Sequence, residues 1–264
     1  MSHAPIGVFD SGVGGLAVLS GLRELLPHEH LLYLADTRHA PYGPKGEEFI
    51  RRRCFALMDF LLAQGVKAVV VACNTATAAA ITALRERYSV PLIGVEPAVK
   101  PAAQLSQRGV VGVLATSGTI ASDKFFRLQD RFVSQVQIVT RACPGLVELI
   151  EADVLDKHAI EQALRGFTAP MVERQADVLV LGCTHYSLIR ELIQQVVGPG
   201  VRIVDAGLAV ARETRRRLEQ EDLLASADQV GSVRFFTSGE LAHQRLLLAR
   251  YWGGEPVVEA LPAA

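Results

Sequence analysis

Short runs of β-branched and leucine residues punctuate the chain, and stretches of helical periodicity separate them. The runs cover residues 6–10, 31–35, 68–72, 90–95, 110–114, 136–139, 177–181, 201–204 and 233–236. Their nearly continuous apolarity predicts strands buried on both faces, as in a parallel sheet. Between them, Ile50, Cys54, Leu57, Met58 and Leu61 form a stripe at the spacing of one helix face. Strand and helix alternate from end to end, so the pattern predicts an α/β protein.

The pattern also echoes itself. Ile6-Gly-Val-Phe-Asp-Ser11 resembles Val111-Gly-Val-Leu-Ala-Thr116, and Val69-Val-Val-Ala-Cys-Asn-Thr75 resembles Leu179-Val-Leu-Gly-Cys-Thr-His185. The two pairs are offset by about 105 and 110 residues, which suggests two similar α/β halves. Each half then presents a cysteine, Cys73 or Cys183, at the carboxyl end of a buried strand. Open parallel sheets put their ligands there. Halves that face one another bring the two thiols to opposite walls of one cleft.

Composition narrows the reading. Half of the 264 residues are hydrophobic, 21% are charged and the formal net charge is −1, which argues against disorder. Near-neutral charge also argues against nucleic acid or an anionic membrane as the partner, because phosphate binding needs clustered excess Lys and Arg. The densest basic run, Arg215-Arg216-Arg217, lies among Glu213, Glu219, Glu221 and Asp222 and reads as a solvated helix face, with Glu213 to Arg217 an i,i+4 pair. No apolar run is long enough to span a bilayer. The four cysteines, Cys54, Cys73, Cys143 and Cys183, include no C-x-x-C pair, and no signal-peptide pattern precedes the first strand. Free thiols in a reducing cytoplasm are expected.

The two strand-end cysteines carry the chemistry. Each opens a helix, in Cys73-Asn-Thr75 and Cys183-Thr-His185, where backbone N–H groups and the partial positive charge should favour a thiolate and hold the thiol below its free value of roughly 8.5. Asp10, at the end of the first strand, is placed to poise a thiol, or equally to cap a helix. His185 could serve Cys183. In residues 36–43, Asp36-Thr-Arg-His-Ala-Pro-Tyr-Gly43, a loop offers the backbone of Tyr42 and Gly43 to a carboxylate. The hydroxyl-rich turn Thr116-Ser-Gly-Thr119 is a second anion cradle. Glu151, taken alone, reads as a solvated surface residue.

Gly12-x-Gly14-x-x-Ala17 complicates this picture. It follows a strand, opens a helix, and precedes Asp36 at about the distance of a ribose-binding acid, so it is a respectable dinucleotide fingerprint. Two details weigh against a nucleotide-dependent oxidoreductase. Asp10 beside the first glycine would repel a pyrophosphate, and the fingerprint leaves the matched cysteines unexplained. Zinc ligands at structural spacing and a pyridoxal-phosphate lysine motif are both lacking, so neither a metal nor a cofactor is expected. A non-catalytic amino-acid-binding module and a racemase for another amino acid remain alternatives.

Taken together, Phe9-Asp-Ser-Gly-Val-Gly-Gly-Leu16, Asp36 through Pro41-Tyr-Gly43, Ala72-Cys-Asn-Thr-Ala76, Ala115-Thr-Ser-Gly-Thr119 and Gly182-Cys-Thr-His185 resemble the glutamate racemases, in order and spacing, from about residue 6 to residue 206. Aspartate racemases of the superfamily share the two-cysteine layout but typically carry an acid where His185 stands. Arylmalonate decarboxylase relatives keep one of the two cysteines. The resemblance implies two Rossmann-like or flavodoxin-like parallel-sheet domains, residues 1–97 with 206–264 and residues 98–205, and an active site in the cleft between them. It implies cofactor-independent, two-base racemisation of glutamate by Cys73 and Cys183, supplying D-glutamate for peptidoglycan. Cys73 would take the proton from D-glutamate and Cys183 from L-glutamate. It further implies that Asp10 and His185 assist the nearer thiol. Glu151, in Val147-Glu-Leu-Ile-Glu151, matches a family carboxylate near the second cysteine. Substrate contacts would come from Asp10, Ser11, Tyr42, Gly43, Asn74, Thr75, Thr116, Thr119, Thr184 and His185. Members of the family are often dimers, so a homodimer is among the assemblies to expect.

Overall fold

A computed structural model of the chain describes residues 3–262. The first part runs β1 (Ile6–Asp10), α1 (Leu16–Leu25), β2 (Leu31–Ala35), α2 (Glu47–Ala63), β3 (Ala68–Val71), α3 (Asn74–Arg87) and β4 (Leu92–Gly94). The middle part runs α4 (Val99–Leu105), β5 (Val110–Ala115), α5 (Ser117–Ile120), α6 (Asp123–Asp130), β6 (Gln137–Ala142), α7 (Leu146–Glu151), α8 (Lys157–Glu173), β7 (Val178–Leu181), α9 (Thr184–Leu188), α10 (Arg190–Val197) and β8 (Arg202–Val204). The chain then returns through α11 (Gly207–Gln220), β9 (Val233–Thr237), α12 (Leu241–Tyr251) and β10 (Val258–Ala260).

These strands form two sheets, ordered β10-β9-β2-β1-β3-β4 and β6-β5-β7-β8, and every pairing is parallel. The core of the first sheet, β2-β1-β3-β4, has the same order as the whole of the second. The sequence echo is therefore topological: β1 corresponds to β5, and β3 to β7. Cys73 and Cys183 follow corresponding strands.

Continuous apolar runs arise because both faces of each sheet are covered. Along β3, Val70 packs into one cluster with Ile6, Val8, Tyr33 and Phe235, while Val69 and Val71 pack into another with Phe9, Leu34 and Phe236. In the second sheet Leu179 and Leu181 face one layer, and Val178 and Val180 the other. The stripe expected on α2 is its buried face: Ile50, Cys54, Leu57, Met58 and Leu61.

Three local expectations are corrected. β10 has no counterpart among the predicted strands. Asp10 does not cap α1, whose N-cap is Gly15. On α11, Glu213 pairs with Arg216 one turn away rather than with Arg217, which reaches Glu221. No described helix is long and apolar enough to cross a membrane.

Candidate functional site at the facing strand ends

Cys73 and Cys183 occupy equivalent positions, each the N-cap of the helix after its strand. Their backbones are alike, with φ −122° and ψ 122° at Cys73 and φ −137° and ψ 133° at Cys183. At Cys73 the sulfur accepts the Ala76 N–H at 3.4 Å and lies 3.8 Å from the Ser11 hydroxyl oxygen. All four cysteines are buried and free.

Asp10, fully buried, joins the two sheets. Its Oδ1 accepts the Ser11 N–H at 2.6 Å and the Ser11 hydroxyl at 3.2 Å, and its Oδ2 accepts the Thr184 hydroxyl at 2.9 Å. Ser11 thus stands between the Cys73 sulfur and a carboxylate. Burial raises the Asp10 pKa above the ordinary aspartate value, against the opposing pull of His185 and of its hydrogen bonds to Thr184, Cys73 and Ser11.

On the other wall the order is Cys183, His185, Glu151. The Cys183 sulfur lies 3.9 Å from His185 Nδ1, and His185 Nε2 lies 2.6 Å from Glu151 Oε1, which also accepts the Val13 N–H at 2.9 Å. Burial opposes protonation of His185, but its contacts with Cys183 and Glu151 outweigh that and raise its pKa well above the ordinary value. Glu151 is therefore no solvated surface residue: its side chain is 11% exposed and ties α7 to the loop after β1.

That contact also accounts for the glycine-rich loop. A Cβ on Gly12 would fall 1.7 Å from Glu151 Oε1, and one on Gly14 would fall 2.4 Å from His185 Nδ1. Side chains of the facing sheet fill the space where a pyrophosphate would sit. The glycines serve close approach of the two walls.

The remaining expected residues fall into two groups. Thr75, Thr116 and Thr119 form a buried hydroxyl cluster across the two sheets, with Oγ1 separations of 2.9, 3.0 and 3.3 Å. Gly43 packs on Thr116, and the Nδ2 of Asn74 is buried without a hydrogen-bond partner. Tyr42 is buried as well, but its hydroxyl donates to Asp36 Oδ2 at 2.6 Å. Asp36 also accepts two bonds from Arg53, at 3.0 and 2.9 Å, and lies 3.0 Å from His39 Nδ1. Burial alone would raise the Asp36 carboxyl, yet these partners hold it below the ordinary value. Asp36 anchors the loop, and no ribose-binding role is left to it.

The family model for Asp/Glu/Hydantoin racemase matches residues 6–214. The chain is 52% identical over 261 residues to a glutamate racemase of Stutzerimonas stutzeri, covering 98% of each. It belongs to the glutamate racemase family. Solved structures agree. Glutamate racemase isoform RacE1 from Bacillus anthracis superposes with a TM-score of 0.89 at 34% identity, covering 99% of this chain and 98% of that one. The Escherichia coli glutamate racemase, in complex with L-glutamate and the activator UDP-MurNAc-ala, gives a TM-score of 0.83 at 36% identity over 98% of both chains.

Within this family member, one expectation about the thiols is overturned. Cys73 was expected below its free pKa because it opens a helix. Burial instead pushes it well above, and the nearby charges of Asp10 and Cys183 add to the effect. The bonds from Ala76 and Ser11 work in the other direction and are outweighed. Desolvating a thiolate is the larger effect here. Sequence reading also missed Arg53, which lies outside the matched motifs and reaches Asp36 only through the packing of α2. Tyr33, whose hydroxyl donates to Gly12 O at 2.6 Å, gave no signal beyond an aromatic in a strand.

Proposed function

We propose that the chain interconverts L- and D-glutamate by two-base proton transfer at Cα, with Cys73 and Cys183 as the bases. The observation that carries the reading is the equivalence of the two thiols: corresponding strands, the same cap position and a similar backbone conformation, in two sheets whose core strands share one order. Two fixed bases spare the enzyme the motion that a single base would need to serve both faces.

The surroundings of the two sulfurs differ in a way that supports one thiol and one thiolate. Cys73 is kept neutral by burial and by Asp10. Cys183 faces an imidazole that its neighbours favour in the protonated form, the countercharge a thiolate needs. Such a state is ready to take the Cα proton of L-glutamate with Cys183 and return one from Cys73. The products of that step are a Cys73 thiolate and a protonated Cys183, which is the state ready for D-glutamate. Asp10, through Ser11, and Glu151, through His185, are assigned to the nearer thiol.

Removing a Cα proton leaves negative charge next to the α-carboxylate, and this burden falls on fixed donors in a poorly hydrated space. The unpartnered Asn74 amide, Ser11, the Thr75, Thr116 and Thr119 hydroxyls, Thr184 and the Tyr42-Gly43 backbone are the groups we assign to the substrate's two carboxylates and ammonium. On this reading residues 1–97 with 206–264 form one domain and residues 98–205 the other. The enzyme works in the cytoplasm, as a homodimer, and supplies D-glutamate for peptidoglycan.

The test is racemisation in D2O without added cofactor. Starting from pure L- or D-glutamate, deuterium should enter the product enantiomer while unreacted substrate stays protonated early on. Rapid washout into unreacted substrate points to one base and ends the proposal. Cys73→Ser and Cys183→Ser should each lower kcat by about 10³ or more with unchanged circular dichroism.

A further inference from the structure

Glu151 lies at the last residue of α7, a helix of six residues. So short a helix leaves its terminal carbonyls without partners of its own. Those of Ile150 and of the capping Ala152, with that of Asp153 just beyond, are taken by α12, which belongs to the other sheet and ends beside them. Tyr251 donates its hydroxyl to Ile150 O at 2.8 Å, and Arg250 donates through Nη1 to Ala152 O at 2.7 Å and through Nη2 to Asp153 O. Two turns earlier on α12, His243 Nδ1 lies 2.6 Å from Asp153 Oδ1. The residues on either side of Glu151 are thus gripped from outside the second sheet. The Tyr251 ring packs against the hydrophobic clusters of both sheets.

The grip bears on geometry, because Glu151 Oε1 must meet two donors at once, Val13 N–H at 2.9 Å and His185 Nε2 at 2.6 Å. A carboxylate on an unsecured helix end would not hold both. Burial raises the Tyr251 pKa against the pull of Arg250, and the hydroxyl is close enough to feel smaller, opposing effects of His185 and Glu151.

We propose that Arg250 and Tyr251, with His243 in support, are positioning residues: from α12 they fix the carboxyl end of α7 and so set the Glu151 carboxylate against His185. The idea rests on the two-base reading, since it acts through the wall that serves Cys183. It assigns the last helix of the chain a part in the chemistry that none of its residues touches.

The test is a double-mutant cycle on kcat. Tyr251→Phe keeps the ring and removes one donor, and Arg250→Met keeps most of the stem. Together they should lower kcat about tenfold and change the glutamate KM by less than twofold. In a Glu151→Gln background the same pair should cost less than twofold, because the carboxylate they place is already gone. Arg250→Lys should restore part of the loss. Isotope effects give a second readout. If the Cys183 step has become slower, the effect on kcat/KM should rise with α-deuterated L-glutamate and fall with α-deuterated D-glutamate. An equal factor in both backgrounds, with unchanged isotope effects, would mean that α12 only stabilises the fold and would overturn the proposal. Failure of the two-base reading is separable: it would appear in the wild-type enzyme as deuterium washout into unreacted substrate.

Discussion

A side chain's meaning here depends on what faces it across the cleft. Glu151 looks like a surface acid along the sequence, and becomes a bridging carboxylate only because Val13 and His185 stand opposite. Replacing it with Gln removes a charge that raises the His185 pKa. Since His185 loses its proton as pH climbs through that value, the alkaline fall of kcat/KM should move to lower pH in Glu151→Gln, with roughly a tenfold loss at neutral pH. A pH profile of both enzymes decides it; an unmoved alkaline limb would detach His185 from Glu151. Gly12 is the reverse case. A methyl group there would occupy the position of Glu151 Oε1, so Gly12→Ala should lose activity at least as severely as Glu151→Gln and destabilise the protein by about 1–3 kcal/mol, read by racemase assay and thermal melt. The two cysteines were legible because matched context at two strand ends is hard to produce by chance. The reason for the glycines was not, since a tight approach between residues far apart in sequence leaves the same letters as a phosphate loop.

At the scale of elements, the loop after β2 is held by a side-chain network in addition to its own turns. Arg53 grips Asp36 with two bonds, and the carboxylate in turn anchors Tyr42 next to Gly43. Asp36→Asn breaks a buried pair and should cost about 3 kcal/mol at neutral pH. The sign with pH follows from the depressed Asp36 value. Its stabilisation is complete above the unfolded-state pKa of about 3.9 and is lost as pH falls through the lower folded-state value. The stability gap between wild type and Asp36→Asn should therefore narrow in acid, as denaturant melts at pH 7 and pH 3 would show; a constant gap would rule out an ionic origin. Strands were the most legible elements, because double-sided burial writes itself as unbroken Val, Ile and Leu. β10 escaped for the opposite reason: it is a three-residue edge strand in which only Val258 is buried, after a Gly253-Gly254 turn. β6 extends past its apolar run through Thr140 and Arg141, because an edge strand of the second sheet tolerates polar side chains.

For the molecule as a whole, two sheets with one shared strand order suit a reaction whose two ends are mirror images. L- and D-glutamate have equal free energy in water, so kcat/KM must be the same in both directions whatever the surroundings of each thiol. Differences between the walls can only redistribute kcat and KM. Because groups from both sheets are assigned to one ligand, glutamate at 100 times its Kd should stabilise the folded chain by about 2.7 kcal/mol. The melt should stay single and cooperative, and a transition shifted in one half alone would contradict a shared site. The α/β class and the equivalence of the halves could be read from periodicity and the repeated motifs. How the last helix reaches back to α7 could not, because hydrogen bonds to backbone carbonyls leave no trace in the residues that accept them.

The burial of the sulfurs has a kinetic corollary. Cys73 is 5% exposed and Cys183 6%, with Asp10 and His185 more deeply enclosed. Burial this deep predicts that the walls draw apart to admit a free amino acid in each catalytic cycle. Such breathing works against solvent drag. Sucrose, which thickens the medium at molecular scale, should slow turnover, whereas a large polymer of equal bulk viscosity should leave it unchanged.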